Sequence, residues 1–164
     1  MIITTLSFNN IVNFFFKDNQ SVTHAENLQK FLPLIQMHVG HTFWFSGLSG
    51  AGKTTLSKSL AEEFLREGKN VVVLDGDELR STISKDLGFT EEDRTEQNRR
   101  AANIARLLND QGIHVMAALI SPTHEIQTII KQVIGVNRCF LIHVDCSIEG
   151  CKQRDVKQLY ASSI

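Results

Sequence analysis

Residues Phe43 to Thr55 read FWFSGLSGAGKTT, a short apolar strand running into Gly47-Leu48-Ser49-Gly50-Ala51-Gly52-Lys53-Thr54. The second part matches the phosphate-binding pattern G-x-x-x-x-G-K-[ST] in full. A polyphosphate needs several donors converging on one small volume, and glycines let the backbone turn its N–H groups inward without side-chain clashes. Lys53 adds a mobile positive charge, and the helix expected to follow points its positive dipole end at the same anion. The hydroxyl of Thr54 is placed to ligate a magnesium ion bridging nucleotide phosphates. The stretch therefore predicts a bound nucleoside triphosphate. A chance glycine-rich turn would lack the strand before it and the amphipathic run after it.

That run carries Leu56, Leu60 and Phe64 at helical spacing, with Ala61 and Leu65 beside them and Gly68 as a stop. Asn70 to Asp75, NVVVLD, is a β-branched run of the kind buried on both faces of a parallel sheet, and Ile113 to Ile120 and Cys139 to Asp145 supply two more. Thr90-Glu91-Glu92-Asp93 resembles a capping box, opening a helix with Ala101, Ile104, Ala105 and Leu108 on one face and Gly112 at its end. A further helix is expected over Glu125 to Ile134, with Ile126, Ile129, Ile130 and Val133 as its stripe. Strands alternating with helices predict an α/β fold, a parallel sheet covered by helices on both faces with right-handed crossovers. Ligands of such sheets lie at the carboxyl ends of the strands, where the loop, Asp75 and Asp77, Ser121 and the segment after Asp145 all fall.

The bulk properties narrow the partners. At 164 residues the chain holds one domain with a real core, and a net charge of -1 from 17 basic and 18 acidic residues excludes a broad basic surface for nucleic acid or acidic lipid. The apolar patch Ile11 to Phe16 is too short to span a membrane. Cys139, Cys146 and Cys151 form no C-x-x-C pair, which fits a reducing, cytoplasmic compartment, and the six histidines lack metal-ligand spacing. His24 to Met37 carries Leu28, Phe31, Leu32 and Ile35 at helical spacing, interrupted by Pro33. A helix there would pack on the core or a partner subunit.

Asp75-Gly76-Asp77 directly after a buried strand places two carboxylates near the magnesium and the terminal phosphate. Phosphoryl transfer needs positioning, charge neutralisation and a base for the incoming hydroxyl, and Asp77 is the candidate base. The plainer reading is an aspartate pair capping a turn. Arg80, then Arg94, Arg99 and Arg100 after Gly88-Phe89, offer planar guanidinium groups for phosphate or sulfate and a ring for a nucleobase. Together they suit a second nucleotide-like substrate. Singly, each arginine reads as a solvated helix residue and Phe89 as core.

In this order, GLSGAGKTT, LDGDELR, DLGFTEEDR, ISP and QRD-x-K-x-LY resemble the adenylylsulfate kinase family, over about Thr42 to Tyr160. The combination of LDGD-x-x-R with DLGF-x-x-x-DR is far narrower than the phosphate loop alone. The resemblance implies transfer of the γ-phosphate of ATP to the 3′-hydroxyl of adenylyl sulfate in sulfate assimilation, with magnesium, commonly by a homodimer. It implies Asp77 and Lys53 in catalysis, and ATP on Gly47, Leu48, Ser49, Gly50, Ala51, Gly52, Lys53, Thr54 and Thr55, with Arg154 against the adenine. Thr54 would ligate the metal. Adenylyl sulfate would lie on Asp77, Arg80, Phe89, Arg94, Gln97, Ile120 and Ser121, with Lys157 in the mobile lid.

The departures from the family pattern are specific. Gln97 stands where D-R-x-E-N-x-R-R has asparagine, Asp155 to Tyr160 lacks a proline and a glycine of the lid, and Thr123, His124 and Glu125 replace arginines. Ile164 precedes the rest of the lid, the F-T-G-[IV] segment, the last strand and the C-terminal helix. The resemblance thus implies an N-terminal extension with a helix over residues 1–40. Residues 41–164 would form a three-layer phosphate-loop nucleotide-kinase fold with its final strand and lid missing. Two alternatives stand beside the kinase of adenylyl sulfate: a nucleotide-binding remnant or regulatory module without turnover, and a phosphate-loop kinase of another small hydroxyl substrate.

Overall fold

The structure is a computed structural model and describes residues 39–154. The helix expected over His24 to Met37, and Lys157 with the segment around it, lie outside the described residues. Four strands, β1 Thr42–Ser46, β2 Val71–Asp75, β3 His114–Ala118 and β4 Cys139–His143, pair in parallel in the order β2-β3-β1-β4. They alternate with helices α1 Lys53–Arg66, α2 Gly76–Ser81, α3 Glu91–Asp110, α4 His124–Ile134 and α5 Ile148–Arg154.

The helix starts follow from their capping side chains. Thr90 Oγ1 accepts from Asp93 N at 3.2 Å, and Glu91, Glu92 and Asp93 complement the first-turn dipole of α3. Thr123 caps α4 in the same way through Ile126 N, at the place where the family pattern has arginine. By contrast α1 starts at Gly52 with no side-chain cap, so its first N–H groups stay available to an anion.

Alternation along β1 sorts the core into two layers. Trp44 joins Val115 and Ala117 of β3 under Ala101, Ala102 and Ala105 of α3 and Ile126, Ile130 and Ile134 of α4. On the other face Phe45 and Met116 pack with Ala61 of α1, Val144 and Cys151, flanked by Phe43 and Phe64. Small residues of α3 let the helix lie close against the strands. Both faces are therefore covered, as the alternating pattern predicts.

Two expectations need correction. Burial on both faces holds for β1 and β3, whereas β2 and β4 are the edges of the described sheet, with Val71 to Val73 half-buried and Phe140 exposed. Leu56 and Leu65 are exposed, while Ser57 and Ala61 face the sheet, because close helix–sheet packing favours small side chains. Ser57 can sit there because its hydroxyl donates to Thr54 O at 3.0 Å.

The start of β1 is pinned by Gly40, whose N–H donates to Asn109 O at 3.0 Å. A Cβ on Gly40 would stand 2.1 Å from Ile113 O and 2.8 Å from Asn109 Cα, all backbone atoms that cannot swing aside. Gly40→Ala should therefore destabilise the chain by about 2–4 kcal/mol, as overpacked core changes do. Urea unfolding checks this through a lower midpoint at unchanged slope; an unaltered midpoint would show that β1 and α3 separate freely.

Candidate active site

The phosphate loop takes its shape from what lies beneath it. Gly47 has φ +143°, and a Cβ there would be 2.6 Å from Val144 O; Gly50 has φ +78° and faces Cys151 O at 3.1 Å in the same sense. No other residue fits these approaches without strain. Lys53 arches back and donates its Nζ to Gly47 O at 3.1 Å and Leu48 O at 2.8 Å. Gly47 and Leu48 thus hold the lysine, while Ser49, Gly50, Ala51, Gly52, Thr54 and Thr55 line a cavity of about 1390 Å³.

Thr54 Oγ1 donates to Asp75 Oδ2 at 2.7 Å, and Asp75 Oδ1 accepts from Asp77 N at 2.9 Å. Asp75 therefore caps α2 and also reaches the threonine expected on the metal. The turn-capping reading of Asp-Gly-Asp applies to Asp75, which the sequence grouped with Asp77 without a role of its own. Its position at the end of a strand, in a chain with a phosphate loop, was the available signal. Asp77 is exposed in the first turn of α2 and lines the cavity.

One helical turn on, Arg80 lies over the ring of Phe89 with its guanidinium carbon 4.5 Å from the centroid, and donates to Gly88 O. Arg94 approaches the same ring at 5.8 Å and donates Nε to Phe89 O at 3.0 Å. Phe89 is 70% exposed, so it is a platform held by two cations and not a core residue. Burial, then repulsion from Arg94, hold the Arg80 guanidinium below its ordinary pKa. An anion between the two arginines would relieve that repulsion.

Arg99 and Arg100 do not join this cluster. Arg99 donates to Glu96 at 2.6 and 2.8 Å, and Arg100 makes a two-pronged pair with Asp86 at 2.7 Å and a bond to Glu96 at 2.9 Å. With a further bond to Ile83 O at 3.0 Å, Arg100 ties the turn after α2 to α3. Their guanidinium groups are satisfied by the protein itself.

Ile120 lines the cavity, whereas the Ser121 side chain turns into the core. Its Oγ donates to Asn98 Oδ1 at 2.7 Å and accepts from Trp44 Nε1 at 2.9 Å. The Ser121 hydroxyl is taken up in the core because the buried indole N–H needs an acceptor, and of the expected pair Ile120 and Ser121 it is Ile120 that lines the cavity. Gln97 lines the cavity, but its Nε2 is engaged with Gly76 O at 2.7 Å. Arg154 lines the wall beside the loop, its Nη1 3.9 Å from where a Gly52 Cβ would stand. Burial pushes the Cys139 thiol up to about 11, and burial with the neighbouring Cys146 raises Cys151.

A covered parallel sheet, a phosphate loop at the end of an inner strand and an aspartate turn at the end of β2 define a phosphate-loop kinase fold. Comparison with known proteins narrows the class. The family profile described as Adenylylsulphate kinase matches residues 39–164. The adenylyl-sulfate kinase of Bacillus pumilus is 38% identical over 142 residues, covering 87% of this chain and 70% of that protein. That of a Picosynechococcus species is 46% identical over 123 residues, covering 75% and 68%. Among solved structures, the Mycobacterium tuberculosis APS kinase CysC in complex with AMPPNP and APS superimposes with a TM-score of 0.73 at 38% identity, covering 76% of this chain and 73% of that one. The chain belongs to the adenylylsulphate kinase family.

The Glu96 cluster sets an acid limit on the fold. Hydrogen bonds from Arg99 and then Arg100 hold the Glu96 carboxyl at about 2, below its ordinary 4.5. The unfolded chain binds that proton more readily between these values, so the stabilisation is complete above about pH 4.5 and fades as pH falls toward 2. Comparison of urea midpoints for the chain and Glu96→Gln should show a gap at pH 6 that narrows steadily below pH 4.5; a pH-independent gap would rule out the ionic contribution.

Proposed function

We propose that this chain transfers the γ-phosphate of ATP to the 3′-hydroxyl of adenylyl sulfate, giving ADP and 3′-phosphoadenylyl sulfate, in sulfate assimilation. The observation that carries this reading is one cavity with two kinds of wall joined by hydrogen bonds. From the triphosphate loop the line runs through Thr54 to Asp75 and on to Asp77, one turn from Arg80 and its Phe89 platform. At about 1390 Å³ the cavity exceeds the usual 300–1,000 Å³ of a single-ligand site, leaving room for a donor and an acceptor nucleotide.

In this reading the loop N–H groups and Lys53 hold the ATP phosphates, and Arg154 lies toward the adenine. The hard oxygen donors of Thr54 and Asp75 suit magnesium, with Thr54 as ligand and Asp75 orienting it. The bound ion would neutralise phosphate charge as it shifts toward the leaving group. Arg80 and Arg94 bind the anionic part of adenylyl sulfate, Phe89 stacks on its base, and Gln97 and Ile120 close the wall. The acceptor oxygen then attacks the γ-phosphorus as the bond to the β–γ bridging oxygen breaks. Asp77 takes the hydroxyl proton and ADP departs.

The family resemblance implies a lid role for Lys157, which lies outside the described residues, and a homodimer is the assembly we infer. Among the described residues no helix is long and apolar enough to cross a membrane, and the free thiols Cys139, Cys146 and Cys151 fit a cytoplasmic setting. ADP release should require adenylyl sulfate. Asp77→Ala should lower kcat by about 10²–10⁴-fold, with ATP affinity by calorimetry within about twofold. ADP release independent of adenylyl sulfate, or an Asp77→Ala variant of full activity, would overturn the assignment. Phe89→Ala should raise KM for adenylyl sulfate by about tenfold or more while sparing that for ATP, since stacking on one base is worth about 1–3 kcal/mol.

A further inference from the structure

Gln97 and Asn98 are consecutive on α3, yet both are buried, at 4% and 1% exposure. Successive helical residues diverge by about 100°, so the two amides reach different segments. Gln97 Nε2 donates to Gly76 O at 2.7 Å, in the middle of the Asp75-Gly76-Asp77 turn. Asn98 Nδ2 donates to Ile120 O at 3.1 Å and to Arg94 O at 2.8 Å, and its Oδ1 accepts from Ser121 Oγ.

The placement of the two acceptors is informative. The β2–β3 pairing ends at Asp75 opposite Ala118, while Gly76 opens α2 and Ile120 lies two residues past β3, so both carbonyls belong to segments beyond the ladder. Gln97 and Asn98 are buried, so their amides need partners, and these two carbonyls supply them. Gly76 precedes Asp77, Ile120 lines the cavity, and Arg94 flanks Phe89. One two-residue stretch of α3 therefore fixes the backbone at three points around the acceptor wall.

We propose that Gln97 and Asn98 form a positioning pair that ties the segments following β2 and β3 to α3 and sets the spacing of Asp77, Ile120 and Arg94 around the acceptor. The stem length of Gln97 is the determinant. An asparagine at 97 is one methylene shorter and would not span to Gly76 O from the same backbone position. Gln97 thus acts through Gly76 and not through its amide donor on the acceptor. This rests on the reading of that wall as the adenylyl sulfate site.

The test compares the full chain with Gln97→Asn, Gln97→Met and Asn98→Leu, reading KM for each substrate and amide hydrogen exchange at residues 76–80 and 119–122. Each variant should raise KM for adenylyl sulfate by about tenfold, as the loss of one buried hydrogen bond does, and leave KM for ATP within about twofold. Exchange should quicken at 76–80 in the Gln97 variants and at 119–122 in Asn98→Leu, with β1 and α1 unaltered. Gln97→Asn at or below the parent KM would overturn the proposal, because a shorter amide would then serve as well. A matched rise in both KM values, or faster exchange throughout, would also overturn it by making the role merely structural. If Asn98→Leu does not fold, the two Gln97 variants decide. If the parent chain shows no turnover with adenylyl sulfate, the functional reading fails; the exchange pattern then decides the positioning role by itself.

Discussion

The parallel ladder that holds β1 between β3 and β4 is the interaction on which the site depends. Residues 42–46 pair with 139–143 on one side, and 42–45 with 115–118 on the other. Parallel pairing brings every strand to the same edge at its carboxyl end, so the phosphate loop, the aspartate turn, Ile120 and Asp145 converge although they are up to about a hundred residues apart in sequence. Short strands of five residues leave little slack: β2, β3 and β1 end within a residue of one another. Where the ladder stops, side chains take over. Thr54 bonds to Asp75, the last residue of β2, Gln97 to Gly76, the next residue, and Asn98 to Ile120, two residues past β3.

This arrangement separates rigidity from charge. The positions that set backbone spacing are buried and neutral: Trp44, Asn98, Ser121 and Thr42, the last donating to Asn109 at 2.7 Å. The groups we propose to meet ligands, Asp77, Arg80, Phe89 and Arg94, stand at or near the surface on α2, the loop before α3 and the first turn of α3. Full burial of a carboxylate and two guanidinium groups would add a large desolvation cost, which their place near the surface avoids.

The fold was legible because its signals are local. The loop at Gly47 to Thr54, the cap at Thr90 and the apolar runs of β1 and β3 each state their structure within a few residues. Which strands lie at the edge is not local: Val71 to Val73 and Ile113 to Ala118 look alike in sequence, and only the pairing order distinguishes them. The candidate site was legible at Lys53, Thr54, Asp77, Arg80 and Phe89 in the sense that these residues line one cavity together. It was not legible at Arg99, Arg100 and Ser121. A guanidinium group looks the same in sequence whether it meets a ligand or Glu96 and Asp86, and nothing near Ser121 announces that Trp44, 77 positions away, will claim its hydroxyl.

The path of the phosphate tests the account most directly. Incubation of the chain with ATP labelled in the γ-phosphate, adenylyl sulfate and magnesium should place the label on the 3′-oxygen of adenylyl sulfate, removable by a 3′-nucleotidase. The protein itself should remain unlabelled, since donor and acceptor share one cavity and the transfer is direct. Label found only as inorganic phosphate, or held covalently on the protein, would contradict direct transfer across this cavity.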